Sequence, residues 1–233
     1  MKIEIWSDVM CPFCYIGKKN FEKALEHLPF RDEVEVEWKS YQLDPSLDPD
    51  QTINTFAYFR EKKGIVEAQA DGMLNQVTDM GKNAGIDFRF DTTLITNTYP
   101  AHRILHLSKK YGKSGEMEEA LFRAHFTDGK NVADPQVLVS LAKAAGISEN
   151  EAVQALDTGR FDDDIQKDIA AAQHYGVPGV PFFILNGKYA ISGAQPADLF
   201  ADALLQTYGE TVSVIRKQDD GSNLSCDDRG CSI

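Results

Sequence analysis

The 233 residues carry a formal charge of −12, and 42% are hydrophobic against 26% charged. That apolar share supports a packed core and argues against wholesale disorder, and the length fits one large domain or two small ones. An acidic surface repels phosphate backbones and anionic lipid headgroups, so nucleic acid and membranes are not expected partners.

The chain opens on Ile3-Glu4-Ile5-Trp6, which alternates like a strand over residues 2–7. An early acid does not suit the apolar run of a secretory leader. No stretch approaches the roughly 18–20 apolar residues that cross a bilayer. The expectation is a cytoplasmic protein. Asp8 to Pro12 reads as a turn. From Cys14 to Leu28 apolar residues recur at helical spacing (Tyr15, Phe21, Leu25, Leu28), and Pro29 stops that helix. Glu33 to Lys39 alternates as Val34, Val36 and Trp38 against charged residues, a half-buried strand. The opening is therefore a strand–helix–strand unit, expected to be right-handed with a parallel strand pair.

Residues 43–51 are turn-rich and read as a linker. From Thr52 to about Asp164 the periodicity is helical and shows no strand pair. Helices are expected near 52–62, 65–84, 97–112, 115–127, 134–145, 149–156 and 162–175. Strand signals return at Pro181–Leu185, followed by the two-residue turn Asn186-Gly187 and a return strand at Lys188–Ile191. Residues 196–208 make a closing amphipathic helix, and 216–233 read as a loosely held acidic tail. Strands at the two ends with helices between them predict an α/β fold: a thioredoxin-like domain with a large inserted all-helical domain. The expected boundaries are 1–50 with 164–212 for the discontinuous α/β domain, 51–163 for the insertion and 213–233 for the tail.

The four cysteines form two close pairs, Cys11/Cys14 and Cys226/Cys231. They are too few for a disulfide scaffold, and close pairs in a reducing compartment point to redox chemistry or metal. Two residues between Cys11 and Cys14 let one helical turn bring the sulfurs within bonding distance. Cys11 would sit at the helix N-terminus, where unpaired N–H groups and the helix dipole favour a thiolate, the nucleophilic form. Cys14, one turn inside, would resolve the mixed disulfide. Pro12 suits the first turn, because its missing N–H costs nothing there. Phe13 adds no positive charge beside the thiolate, which suits a mild oxidant or a reductase. The competing reading is a zinc half-site. It would need four ligands, and the second pair lies over 200 residues away, so no metal is expected.

These residues resemble the DsbA-like branch of the thioredoxin superfamily. The resemblance rests on the strand Ile3–Ser7, on Cys11-Pro12-Phe13-Cys14 and on the distant Gly176-Val177-Pro178-Gly179-Val180-Pro181-Phe182-Phe183. The opening Trp6-Ser7-Asp8-Val9-Met10-Cys11-Pro12-Phe13-Cys14-Tyr15-Ile16-Gly17 and the segment Asn97-Thr98-Tyr99-Pro100-Ala101-His102-Arg103 are similar to the FrnE-like group. The resemblance spans about residues 2–210. It implies a cis Val180–Pro181 bond lying against the cysteine pair, with Val180 and Pro181 receiving an extended substrate chain. It also implies that Asn97, His102 and Arg103 line the substrate cleft. Kappa-class glutathione transferases and 2-hydroxychromene-2-carboxylate isomerases share the architecture, but this chain has cysteines at both redox positions where that branch relies on a serine.

From the residues alone, Asn97 is equally a helix N-cap, and His102 and His106 are four apart on one helical face without a third ligand at an informative distance. Asp162-Asp163-Asp164 reads as a solvated face. Cys226-Asp-Asp-Arg-Gly-Cys231 permits a local disulfide, and a flexible 212–225 segment would let it exchange with Cys11/Cys14; a metal or partner contact and an inert tail are the alternatives. The expected function is a thiol–disulfide oxidoreductase or isomerase acting on protein disulfides. Its partners would be protein thiols or disulfides and a cellular reductant. No cofactor is expected beyond the dithiol itself, with glutathione as a possible co-substrate. The alternatives are a glutathione-dependent small-molecule isomerase or transferase, and a non-catalytic holdase or partner-binding protein.

Overall fold

Alternation along β1 (Lys2–Ser7) sends Ile3 and Ile5 to one face of a sheet and Trp6 to the other, and all three are buried. The computed structural model describes residues 1–219. It surrounds β1 with β2 (Glu35–Ser40) in parallel, pairing Lys2 with Glu35 through Ser7 with Ser40, and with β5 (Phe182–Leu185) in antiparallel, pairing Trp6 with Phe182. Strand β6 (Tyr189–Ser192) completes a four-stranded sheet of order β2-β1-β5-β6. The β5–β6 turn has both Asn186 and Gly187 at positive φ, as the Asn-Gly pair predicts.

Helices α1 (Pro12–Glu26) and α9 (Ala197–Asp219) pack together on the Ile3/Ile5 face, around Phe21, Phe183 and Phe200. The other face carries Trp6, Phe182 and Ile184 against Ala172 of α8 (Asp162–His174). The Trp6 indole N–H donates to the Asp168 carbonyl at 2.8 Å, so its polar edge is satisfied although the ring is fully buried. Between β2 and α8 the chain forms α2 (Thr55–Lys63), α3 (Glu67–Asn83), α4 (Tyr99–Lys110), α5 (Ser114–Phe126), α6 (Pro135–Ala144) and α7 (Glu149–Thr158). Residues of α4 to α7, with Ile104, Leu107, Met117, Leu121 and Leu138 fully buried, make a second core.

Three expectations are corrected. The helical stretch contains a short antiparallel pair, β3 (Ile53–Asn54) with β4 (Leu94–Ile95), two residues too short for any periodicity to reveal. Glu33 belongs to a single 3₁₀ turn (Arg31–Glu33), not to β2. The last helix runs to Asp219, beyond the expected stop near 208, because residues 210–219 hold neither Pro nor Gly. Residues 212–219 of the segment read as a flexible arm are therefore helical. Cys226 and Cys231 lie outside the described residues.

Candidate active site

The turn between β1 and α1 is held from three sides. Val9 is fully buried in the helical core. The Asp8 carboxylate accepts from the backbone N–H of Leu43 at 2.7 Å, tying the turn to the segment after β2. The Asp8 carbonyl accepts from Cys11 N–H at 2.9 Å. Cys11 is the N-cap of α1 with extended backbone and Pro12 in the first turn; its side chain makes no cap bond, so the sulfur is left to face the rest of the site.

Register then decides what meets that sulfur. Because Trp6 pairs with Phe182, the Val180–Pro181 peptide arrives beside the end of β1. That bond is cis, and the Cys11 thiol donates to the Val180 carbonyl with Sγ···O 3.5 Å. Gly17, on the next turn of α1, makes the close approach possible: a Cβ there would stand 2.9 Å from Pro181 Cγ.

Both cysteines are buried, Cys11 at 3% exposure and Cys14 at 1%. They pack with Tyr15 and Ile16 against Leu74, Val77, Phe88 and Phe90, and against Phe122 and Phe126 of α5. Access to Cys11 runs through an apolar cavity of about 470 Å³. Met10, Cys11, Phe13 and Val180 line one side, and Tyr58, Phe59, Met73 and Phe90 line the other. Phe13, Leu43 and Met73 at its edge are more than a third exposed. Lys63 is the one charged residue of this lining among the described residues, and Asp44 lies 3.8 Å from its ammonium. Burial pushes the Cys14 thiol well up, the neighbouring Cys11 adds to the rise, and the Asp8 backbone and the Ser7 hydroxyl partly offset it.

Asn97, His102 and Arg103 do not line this cavity. Asn97 stands one residue before Thr98, the N-cap of α4; its side-chain oxygen accepts from Tyr99 N–H at 2.9 Å while its amide donates to the Leu47 carbonyl. His102 is buried 3.6 Å from an Asp8 carboxylate oxygen. His106 contacts Asp168 and Ser40, each at 3.1 Å. Arg103 grips Asp162 through two bonds of 2.7 and 2.8 Å and donates to the Leu156 carbonyl, so Asp162 is a clamp residue and not part of a merely solvated face. A bidentate, partly buried pair with a third bond is a structural device. Arg103→Ala is expected to lower unfolding free energy by about 1–3 kcal/mol while leaving the rate of Cys11 alkylation unchanged, measured by urea titration and by iodoacetamide kinetics.

Sequence reading missed the buried polar residues Ser7, Glu118 and His125, of which Ser7 donates to Glu118 at 2.5 Å. The signal was present. Glu118, Leu121, Phe122 and His125 occupy one stripe of α5 at spacing i, i+3, i+4, i+7, so two ionisable groups sit on its apolar face.

The family model described as the DSBA-like thioredoxin domain matches residues 2–205. YwbO of Bacillus subtilis (strain 168) is 29% identical over 206 residues, covering 87% of this chain and 94% of that protein. The crystal structure of a probable DsbA oxidoreductase, SCO1869 from Streptomyces coelicolor, superposes with a TM-score of 0.86 at 35% identity, covering 100% of this chain and 99% of the other. The cytosolic disulfide reductase DsbM from Pseudomonas aeruginosa, solved with GSH, shares the fold at TM-score 0.63 and 16% identity, over 88% and 98% of the two chains. A strand, a Cys-x-x-Cys helix start, an inserted helical region and a cis-proline turn thus occur together in a chain that belongs to the DSBA-like thioredoxin-domain family.

Proposed function

We infer that the protein is a dithiol oxidoreductase acting on disulfides of extended polypeptides in a reducing compartment such as the cytosol. Cys11 attacks and Cys14 resolves; electrons pass from the dithiol to the client disulfide, and a cellular reductant restores the dithiol. The observation that carries this reading is the placement of the Cys11 sulfur 3.5 Å from the Val180 carbonyl at an apolar cavity. Pro181 has no N–H, so the adjoining backbone is free of one internal donor and the Val180 groups stand beside the path of a client chain.

The cavity favours a peptide with an apolar residue near its cysteine over glutathione. Glutathione presents two carboxylates, and the lining offers one ammonium already near Asp44. Burying a Phe or Leu side chain contributes about 1.5–3 kcal/mol, roughly 10–100-fold in kcat/KM. Peptide disulfides with Phe beside the cysteine are therefore expected to be reduced at least about tenfold faster than the same peptides with Asp, and faster than glutathione disulfide. Preference for glutathione disulfide over every peptide would overturn the polypeptide-substrate reading.

A further inference from the structure

Strand β2 is an edge of the sheet, and part of that edge is open. The N–H groups of Glu35 and Tyr41 donate to the carbonyls of Met1 and Ser7. Glu35, Glu37 and Lys39 therefore face β1, and Val36, Trp38 and Ser40 turn their N–H and C=O groups outward. At Ser40 the outward N–H is taken by the Asp168 carboxylate at 3.0 Å. At Val36 and Trp38 the outward groups have no partner among the described residues. They border a groove of about 490 Å³ whose apolar lining is Phe21 and Leu25 of α1 with Val36 and Trp38.

One end of this groove is rich in hydrogen-bond donors. Ser114 and Gly115 line it at the N-terminus of α5. The N–H groups of Ser114, Gly115 and Glu116 have no acceptor among the described residues, and the Lys113 N-cap makes no side-chain cap bond. Trp38 adds an independent donor. It is only 6% exposed, and a buried indole N–H ordinarily finds an acceptor; this one has none among the described residues. It points at the first turn of α5, where a Cβ on Gly115 would stand 4.0 Å from Nε1. Lys109, whose ammonium is 3.6 Å from Asp168, brings a positive charge to the same lining. The acids nearby are engaged: Glu22 with Lys18, Glu37 with Lys2 and Lys39, Glu116 with Lys113.

We propose that this groove binds the free C-terminus of a partner polypeptide. The terminal carboxylate accepts from the Trp38 indole and the first turn of α5. The last residues add as a short strand along Val36 and Trp38, and an apolar side chain near the terminus lies on Phe21 and Leu25. Donors lacking acceptors select an anion, the open edge selects a peptide backbone, and the apolar floor selects the side chain; strand addition and carboxylate capture are both general modes of peptide recognition. Because β2 runs from Glu35 toward the donor end, the added strand lies parallel to it. Val36 and Trp38 are roughly 6.6 Å apart along the edge, so about three peptide residues span the contact. The groove shares no lining residue with the cavity at Cys11, so a partner docked there leaves the dithiol open.

The test is an NMR titration of the isotope-labelled full chain with the tripeptide acetyl-alanyl-valyl-leucine, compared with the same peptide as its C-terminal amide. The chain has two tryptophans and so two indole N–H signals, and Trp38→Phe assigns them. The acid is expected to move the Trp38 indole signal downfield, to leave that of Trp6 in place, and to protect the amides of Val36 and Trp38 from exchange. The amide peptide is expected to bind at least about tenfold more weakly, through loss of charge-assisted hydrogen bonds. Gly115→Leu suits a helix better than glycine and sets a side chain over the indole N–H; it is expected to weaken binding by a similar factor, with the Trp6 signal unmoved as the sign of an intact fold. Trp38→Phe is expected to weaken it likewise and stands in should Gly115→Leu fail to fold. Equal affinity for acid and amide, unchanged binding in either folded variant, or no Trp38 shift with millimolar peptide would overturn the site. Hexanoate binding as tightly as the peptide would overturn the strand addition. None of these results depends on Cys11 or Cys14, so the dithiol reading stands or falls separately.

Discussion

Replacing Cys14 with Ser is expected to accumulate a covalent complex with client, and replacing Cys11 with Ser is expected to abolish both complex formation and turnover. The asymmetry follows from position. Cys11 is at the N-cap of α1, beside the cavity and free of capping duty. Cys14 is inside the first turn, does not line that cavity, and has a thiol held protonated by burial. Attack therefore survives loss of Cys14, and release does not. With a denatured disulfide protein as client, the Cys14→Ser variant should show a band of summed mass on a non-reducing gel that vanishes on adding dithiothreitol. Turnover in both variants should fall by at least about a hundredfold, since each removes one of the two bond-exchange steps. A complex formed through Cys14 in the Cys11→Ser variant would reverse the assignment of roles.

The second large effect concerns stability and pH. Burial raises the Glu118 carboxyl to about 7 and lowers the His125 imidazole, fully buried without a hydrogen-bond partner among the described residues, to about 4. The two shifts act in opposite directions. Glu118 has a raised folded-state value, so its contribution is fully present below its unfolded value of about 4.5 and is lost as pH rises through about 7. His125 has a depressed one, so its contribution is present above about 6.5 and is lost as pH falls through about 4. Each amounts to about 3 kcal/mol over its window, and between about pH 4.5 and 6.5 their slopes oppose each other. The wild type conceals both, and single variants expose them. Stability of Glu118→Gln relative to wild type is expected to climb by about 3 kcal/mol between pH 4.5 and 7. Relative stability of His125→Phe is expected to climb by a similar amount as pH falls from 6.5 to 4. Urea titrations across that range read both; variant curves that run parallel to wild type would show that neither group titrates as placed.

Much of this site was legible in the chain. Alternation at Ile3–Trp6 and at Val34–Trp38, and the Asn186-Gly187 turn, located the sheet strands because a half-buried strand and a tight hairpin each impose a local pattern. The Cys11/Cys14 helix start was legible because its geometry depends on one turn of chain. Contacts between distant segments were not. Nothing local says that Arg103 will meet Asp162 or that Ser7 will face Glu118 across 111 residues of sequence. The buried acid was nonetheless hinted at by its position in the apolar stripe of α5. Asn97, His102 and Arg103 are not in the lining of the cavity beside Cys11. A family motif marked them for the cleft, whereas here Asn97 accepts from Tyr99 N–H, His102 contacts Asp8 and Arg103 clamps Asp162 of α8.

The most direct test of dithiol chemistry is equilibration of the full chain in glutathione redox buffers, with the Cys11–Cys14 disulfide followed by mass spectrometry. Phe13 adds no charge to favour the reduced thiolate, and Cys14 is held as a thiol by burial. The expected result is one reversible two-electron transition of that pair, with a potential nearer the roughly −270 mV of thioredoxin than the roughly −120 mV of a strong oxidant. A Cys11 that forms only a stable glutathione adduct, with no Cys11–Cys14 disulfide at any buffer ratio, would contradict the account.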